Sequence, residues 1–157
     1  MGDGLSGSLT LRPATEDDAR FFFELRNEVG VREASFSSEP FSWEHHLDWF
    51  ERRLASGDPI FVAQSGGENV GYVRLDSLGD DEYEVSVAVI PEVRGHGIGT
   101  SLIKQASEAA EAEGAIRLIA RIRPGNDASM KAFEAAGYSG GLHHNGEEMF
   151  LARSAVK

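Results

Sequence analysis

Three glycines at alternating positions, Gly95, Gly97 and Gly99, follow an apolar strand pattern and stand directly before an aliphatic helix pattern. The N-terminus of a helix carries N–H groups without intrahelical acceptors, together with partial positive charge. Glycines let a ligand approach that backbone without meeting a Cβ. Arg94 adds a full positive charge at the start of the loop. The segment therefore predicts a phosphate or pyrophosphate site, and a turn that merely needs glycine conformations is the simpler alternative.

Two well-known phosphate loops fit this segment poorly. The nucleoside-triphosphate loop requires Gly-Lys followed by Ser or Thr, and here Thr100 follows Gly99 without a lysine. The dinucleotide fingerprint requires G-x-G-x-x-G and an acidic residue at the end of the next strand. Here the spacing is G-x-G-x-G, and the next strand pattern ends in Arg121 and Arg123. The first loop is therefore excluded and the second is disfavoured.

The segments around the glycine loop alternate in the order β-α-α-β-β-β-α-β-α-β-β. Ser42 is a typical N-cap for the second helix, and Asn126 or Asp127 opens the last one. The dipeptide Asn145-Gly146 predicts a closing hairpin. This order indicates a mixed α/β domain in which an antiparallel meander leads into one βαβ unit. The glycine loop and its helix form the crossover between two parallel strands.

Length and composition indicate a single domain, and the cysteine and histidine content gives no indication of a metal site. The chain has 157 residues, of which 41% are hydrophobic. We predict a flexible leader over residues 1–8 and a single domain over residues 9–157. Cysteine is absent, which excludes disulfides and thiolate ligands. The adjacent His45 and His46 would point about 100° apart on a helix, so no metal is expected there.

The charge balance narrows the possible partners. The formal net charge is −11, whereas proteins that bind duplex nucleic acid present a basic face. No apolar run is long enough to span a bilayer, and the N-terminus does not match a signal peptide. We therefore expect a cytoplasmic protein with neither nucleic acid nor membrane as partner.

Two motifs resemble those of the GNAT acetyltransferase superfamily. "RGHGIG" is similar to its R/Q-x-x-G-x-G/A signature, and "NDASMKAFEAAGY" is similar to a second element around an asparagine. The element order resembles the family as well. The resemblance implies an α/β GNAT fold, with a mixed, mostly antiparallel sheet whose central parallel strands splay apart. It also implies acetyl-coenzyme A as acetyl donor, with no metal.

The resemblance assigns most cofactor contacts to backbone groups. It places the pyrophosphate on the glycine loop, here Arg94, Gly95, His96, Gly97, Ile98, Gly99 and Thr100. It pairs the pantetheine arm with the preceding strand, here Val87, Ala88 and Val89. It adds Asn126, Ser129 and Phe133 on and around the last helix. Asn126 can also cap that helix, and Phe133 can equally be a core residue.

The face that receives the acceptor follows from strand alternation. In "EYEVSVAVI", Glu84 and Ser86 point to one side, and Arg74 and Asp76 of the preceding strand share a face. If these faces coincide, the four side chains form a polar floor; a solvated sheet face is the alternative. Glu84 and Ser86 are the candidate catalytic residues, because an ammonium acceptor must lose a proton before it attacks.

The resemblance leaves the proton donor to the leaving thiolate without its usual residue. Many GNAT enzymes carry a tyrosine seven residues after the motif asparagine, and here that position is Phe133. Tyr138 is the nearest other phenol in sequence and becomes a catalytic candidate beside water, although a strand aromatic is its simpler role.

Together these features predict an N-acetyltransferase that transfers acetyl directly to a primary amine. The stretch 25–54 resembles amino-sugar N-acetyltransferases of the pseudaminic-acid pathway, which implies a sugar-nucleotide acceptor. The alternatives are a protein α-amine acetyltransferase and a non-catalytic coenzyme A-binding module. The predicted assembly is a monomer or a homodimer.

Overall fold

The computed structural model describes residues 9–28, 30–31, 42–123, 125–144 and 148–155. Its strands and helices are β1 (Leu9–Pro13), α1 (Ala19–Arg26), α2 (Trp43–Ala55), β2 (Ile60–Ser65), β3 (Glu68–Gly79), β4 (Glu82–Val89), α3 (Ile98–Ala112), β5 (Arg117–Ile122), α4 (Asp127–Ala135), β6 (Ser139–His144) and β7 (Glu148–Ser154). This confirms the predicted order. The predicted leader and the Asn145-Gly146 turn lie outside the described residues. Within the described ranges, no helix has both the length and the apolarity to cross a bilayer.

Local signals set the helix starts as expected. The Ser42 side chain accepts a hydrogen bond from the His45 N–H, 3.2 Å away, and caps α2. Gly97 precedes α3 with a φ of 77°, a left-handed conformation that favours glycine. Asn126 accepts from the Ser129 N–H at 3.2 Å and caps α4. The predicted capping role of Asn126 is therefore confirmed.

The seven strands form one sheet in the order β1-β2-β3-β4-β5-β7-β6. β4 and β5 are parallel, as predicted, and every other neighbouring pair is antiparallel. The β4–β5 register ends at Glu84 and Ile119, whereas β4 stays paired with β3 as far as Val89. The two central strands therefore separate after Glu84, which confirms the predicted splay.

Each face of the sheet has its own core. Helices α3 and α4 cover one face, where Leu102, Ile103 and Leu118 are fully buried. Helices α1 and α2 cover the other face, where Phe22 stacks on Tyr72 with ring centroids 4.5 Å apart. Burial of apolar surface on both faces stabilises the sheet and fixes which residues of each strand face which helices.

A neutral histidine lies inside the α1–α2 core. His46 is fully buried, and its Nε2 donates to the Ala19 carbonyl at 2.9 Å. Its Nδ1 accepts from Arg26 at 3.1 Å, because a guanidinium can only donate. Burial lowers the pKa of His46, and the Arg26 charge lowers it further, although the Ala19 hydrogen bond opposes this. His45, by contrast, is exposed.

Acidification should therefore weaken the fold through His46. Its pKa in the folded state lies below the unfolded value of about 6.5, so the unfolded chain binds the proton more readily. The contribution is complete above about pH 6.5 and is lost as pH falls through the folded pKa. Thermal unfolding between pH 5 and 8 should show a steeper loss of stability in the wild type than in His46→Gln. His45→Gln is the matched control, and an unchanged slope in His46→Gln would contradict the assignment.

Candidate functional site

The glycine loop opens toward solvent at the N-terminus of α3. Gly95 and Gly97 have φ values of 84° and 77°, whereas Gly99 lies within the helix. A Cβ built on any of these three glycines would meet no other atom within 4 Å. The N–H groups of the first helical turn therefore face an open space that suits an anion. This geometry fits the predicted phosphate site, because side chains at these positions would occupy that space.

Arg94 is held beside this loop by an ion pair with Glu28, which follows the end of α1. Its Nη2 donates to Glu28 Oε1 at 2.7 Å and to the Val89 carbonyl at 3.1 Å. The same Glu28 oxygen accepts from the Val31 N–H at 3.0 Å. Because the Arg94 side chain is more than a third exposed, its ion pair with Glu28 is weak, and a phosphate group can replace Glu28 as the partner of Arg94. His96 and Thr100 lie in the loop and in the first turn of α3, respectively.

The splay leaves one edge of β4 without its parallel neighbour. Val87, Ala88 and Val89 lie beyond the last β4–β5 pair but remain paired with β3. No register shift accompanies the splay, since the irregularity between β3 and β4 lies between Ser77 and Gly79. An extended ligand can therefore pair with β4 as an additional strand.

An open pocket of about 180 Å³ adjoins this region on the α1 side. It lies between α1 and the turn after β4, and its lining combines apolar groups with three carboxylates. The lining residues are Phe21, Glu24, Leu25, Glu28, Ile90, Pro91 and Glu92. Because Glu28 also binds Arg94, a molecule in this pocket would lie next to the glycine loop.

The polar floor proposed from strand alternation exists. Arg74 is paired directly across from Ser86, and Asp76 across from Glu84. Tyr72 and Ala88, the next pair on the same face, contribute to the α1–α2 core. The floor therefore faces these two helices. Within it, Glu84 Oε2 accepts from Arg121 Nε at 3.3 Å.

Three residues of this face were missed by sequence reasoning. Arg53 of α2 donates through Nε to Asp76 Oδ1 at 2.7 Å. Trp49, on the same helix, has the Arg26 guanidinium 3.9 Å from its ring centroid. Both contacts join residues more than 20 positions apart, so no local sequence pattern predicts them. The only signal is the placement of Trp49 and Arg53 one helical turn apart.

Tyr138 and Phe133 lie in the core rather than at the splay. Tyr138 is only 2% exposed, and its hydroxyl lies 2.8 Å from Ser107 Oγ. Burial raises the pKa of Tyr138 to about 12. Phe133 is 4% exposed and packs edge-on against Tyr138. The hydroxyl of Tyr138 is held by a buried serine, which favours a structural role. Its role as proton donor stays a prediction.

The described residues contain no group of three or more His, Asp or Glu side chains that is arranged to hold a metal ion. The features of the described residues that suit a ligand are the anion site, the free β4 edge and the polar floor. The free edge and the anion site lie on consecutive stretches of β4 and α3, and the polar floor adjoins them through Glu84 and Ser86 of β4. An extended ligand with a phosphate group at one end can reach all three.

Comparison with known proteins agrees with this arrangement. Residues 8–139 match the family model described as an acetyltransferase (GNAT) domain. An L-methionine sulfoximine/L-methionine sulfone acetyltransferase of Pseudomonas paraeruginosa is 31% identical over 138 residues, covering 83% of this chain and 80% of the relative. The L-amino acid N-acyltransferase MnaT of Escherichia coli is 26% identical over 139 residues, covering 83% and 79%.

A solved structure shares the fold. It is that of yncA, a putative acetyltransferase from Salmonella typhimurium, with its cofactor acetyl-CoA. The TM-score is 0.80 at 22% identity, and the match covers 96% of this chain and 95% of the other. The two relatives above act, by their names, on amino acids, so the predicted link to amino-sugar enzymes finds no support in them. The family match over residues 8–139, the splayed sheet and the glycine loop together show that this chain belongs to the GNAT family of N-acetyltransferases.

Proposed function

We propose that this enzyme acetylates the α-amine of a free L-amino acid or of a close amino-acid analogue. The observation that carries the proposal is the polar floor, which places a carboxylate and a guanidinium on one face where β4 leaves β5. The relatives named above, which act on amino acids by name, support the same class. Family membership also favours an enzyme over a non-catalytic coenzyme A-binding module.

The residues at the splay suit acetyl-coenzyme A, which supplies an activated acetyl group as a thioester. The first turn of α3 and Arg94 would bind its phosphates, with Gly95, Gly97 and Gly99 leaving the necessary space. Backbone groups of Val87–Val89 would pair with the pantetheine arm. Asn126 Oδ1 already accepts from the Ser129 N–H in the cap of α4. The two residues would contact the cofactor through their other polar groups.

Glu84 is the proposed general base. It is the last β4 residue paired with β5, so its carboxylate lies where the strands begin to separate. Glu84, directly or through water, would accept a proton from the acceptor ammonium. The free amine would then form the C–N bond as the C–S bond breaks, and the second proton lost by the nitrogen would pass through water to the leaving thiolate. Ser86, the next residue on this face, would orient the acceptor.

Replacing Tyr138 tests whether water suffices as the proton source. Tyr138→Phe should keep kcat within about twofold of wild type, because a dedicated acid would be worth roughly 10²–10⁴-fold. It should lower the free energy of unfolding by about 1–3 kcal/mol, since the buried Ser107 hydroxyl loses its partner. The double variant with Ser107→Ala should lose less free energy of unfolding than the sum of the losses in the two single variants. A loss of kcat in the range given above, in a folded Tyr138→Phe protein, would restore the catalytic role.

An amine panel tests the acceptor class. Initial rates with acetyl-coenzyme A should be highest for L-methionine sulfone and L-methionine sulfoximine. They should be lower for peptides with free N-termini and for nucleotide-linked 4-amino sugars, which represent the protein and sugar alternatives. Efficient acetylation of either alternative, with free amino acids ignored, would overturn the proposal.

A further inference from the structure

Arg74 occupies a central place on the polar floor. It is paired across from Ser86, next to the point where β4 and β5 separate. Its side chain is 25% exposed, and its Nη1 donates to Asp76 Oδ2 at 2.8 Å. Its guanidinium lies 5.4 Å from the ring centroid of Trp49. The Nε of Arg74 is buried and has no hydrogen-bond partner, so part of its donor capacity is unused.

The carboxylate beside Arg74 is already shared. Asp76 Oδ1 accepts from Arg53 Nε at 2.7 Å. The remaining nitrogens of Arg53 donate to the carbonyls of Asp58, Pro59 and Leu75, which fixes that side chain to the residues just before β2 and to β3. One negative charge thus serves two guanidiniums. Arg53 has a structural role, whereas the charge of Arg74 is only partly compensated.

A second arginine increases the positive potential of this face. Arg26 lies against the same Trp49 ring as Arg74. Burial lowers the pKa of Arg26 to about 10, and the charge of Arg74 contributes to the shift in the same direction. Two like charges against one indole ring repel each other. An anion bound at this face would relieve that repulsion and supply acceptors to Arg74.

The spacing of opposite charges distinguishes between possible anions. Arg74 and Glu84 are diagonal neighbours on one face, because Arg74 is paired with Ser86 and Asp76 with Glu84. Diagonal neighbours in an antiparallel pair lie about 7–8 Å apart, within reach of long side chains. The α-ammonium and α-carboxylate of an amino acid are attached to the same carbon. A compact pair of opposite charges therefore matches the floor, whereas the phosphates of a sugar nucleotide lie far from its amine.

We propose that Arg74 binds the α-carboxylate of the acceptor and thereby selects free amino acids over peptides, amides and esters. This inference rests on the proposed function, and it names the residue that sets the substrate class. A peptide N-terminus lacks the negative charge at this position and would leave the guanidinium uncompensated.

Matched acceptors test the inference. L-methionine sulfone and its carboxamide differ in one negative charge, and kcat and KM are measured for both with wild type, Arg74→Gln and Arg74→Lys. For the acid, Arg74→Gln should lower kcat/KM by about 10- to 100-fold, mainly through KM, as expected for loss of a charged hydrogen bond. For the carboxamide the change should stay under about threefold, because no such bond is lost. Arg74→Lys should recover part of the preference for the acid.

Controls separate this effect from folding and from net charge. Arg52→Gln removes a guanidinium from an exposed ion pair with Asp48 on α2. It should leave kcat/KM unchanged for both the acid and the carboxamide. Acetyl-coenzyme A affinity and thermal unfolding of the Arg74 variants report on their integrity. An equal fall in kcat/KM for the acid and the carboxamide in Arg74→Gln would overturn the inference while leaving the proposed function intact. A wild type that acetylates no amino acid would overturn the proposed function and the inference with it.

Discussion

Gly99→Leu should abolish tight binding of acetyl-coenzyme A while leaving the fold intact. Gly99 lies in the first turn of α3 without a positive φ, and a Cβ added to it would meet no other atom within 4 Å. A leucine there is compatible with the helix and should even stabilise it by about 0.5–1 kcal/mol. Its side chain would fill the space that phosphate needs. Losing one or two charged hydrogen bonds, each about 1.5–3 kcal/mol, weakens affinity by roughly 10- to 1,000-fold or more.

Calorimetric titration with acetyl-coenzyme A measures this loss. Ala109→Leu, at an exposed position further along the same helix, is the matched control and should bind as wild type does. Gly97 is a less informative position, because its φ of 77° would strain any side chain and confuse unfolding with lost binding. Full affinity in a folded Gly99→Leu protein would show that the phosphates bind elsewhere.

Glu84→Gln should reduce kcat by about 10²–10⁴-fold, the usual contribution of a general base. The amide keeps the shape of the side chain and an oxygen that can accept from Arg121, but it cannot take a proton at neutral pH. Binding of acetyl-coenzyme A should not change, because the glycine loop lies beyond the other end of β4. Steady-state kinetics with L-methionine sulfone, together with titration of the cofactor, gives both values.

Glu82→Gln is the control for this experiment. Glu82 lies two residues earlier on the same face of β4, where the strand is still paired with β5 through Arg117. Its replacement removes the same charge from the same strand and should leave kcat within about threefold of wild type, since it is no proton acceptor for the substrate. Comparable losses in both variants would indicate a general electrostatic effect of the acidic strand and would contradict a specific base at Glu84.

Local patterns in the sequence predicted every strand and α-helix that the structure describes. Apolar periodicity indicated the type of each element. The residues on the buried face of a helix recur with a different spacing from those on the buried face of a strand. Caps such as Ser42 and Asn126 and the glycines before α3 indicated the boundaries, because each satisfies or frees backbone groups within a few residues. The polar floor was also predictable, since strict alternation decides which residues share a face.

Contacts between distant segments were not predictable in this way. Insertion of β7 between β5 and β6 places a strand beside partners that no local pattern specifies. The ion pair of Arg94 with Glu28 joins residues 66 positions apart. The stretch 25–54, part of which lies outside the described residues, suggested an amino-sugar acceptor, and the two relatives named above, which act by name on amino acids, do not support that prediction.

The sequence by itself determined the element order, the βαβ unit and the glycine loop, because these depend on backbone conformation and on periodicity over a few residues. The splay of the two parallel strands was implied only by the family resemblance. Only the tertiary structure decided that Tyr138 lies in the core with Ser107 and that His46 is buried and neutral. It alone showed Arg74 sharing Asp76 with Arg53. The physical reason is the same in each case: burial and charge pairing depend on which distant side chains pack together, and that packing is a property of the whole fold.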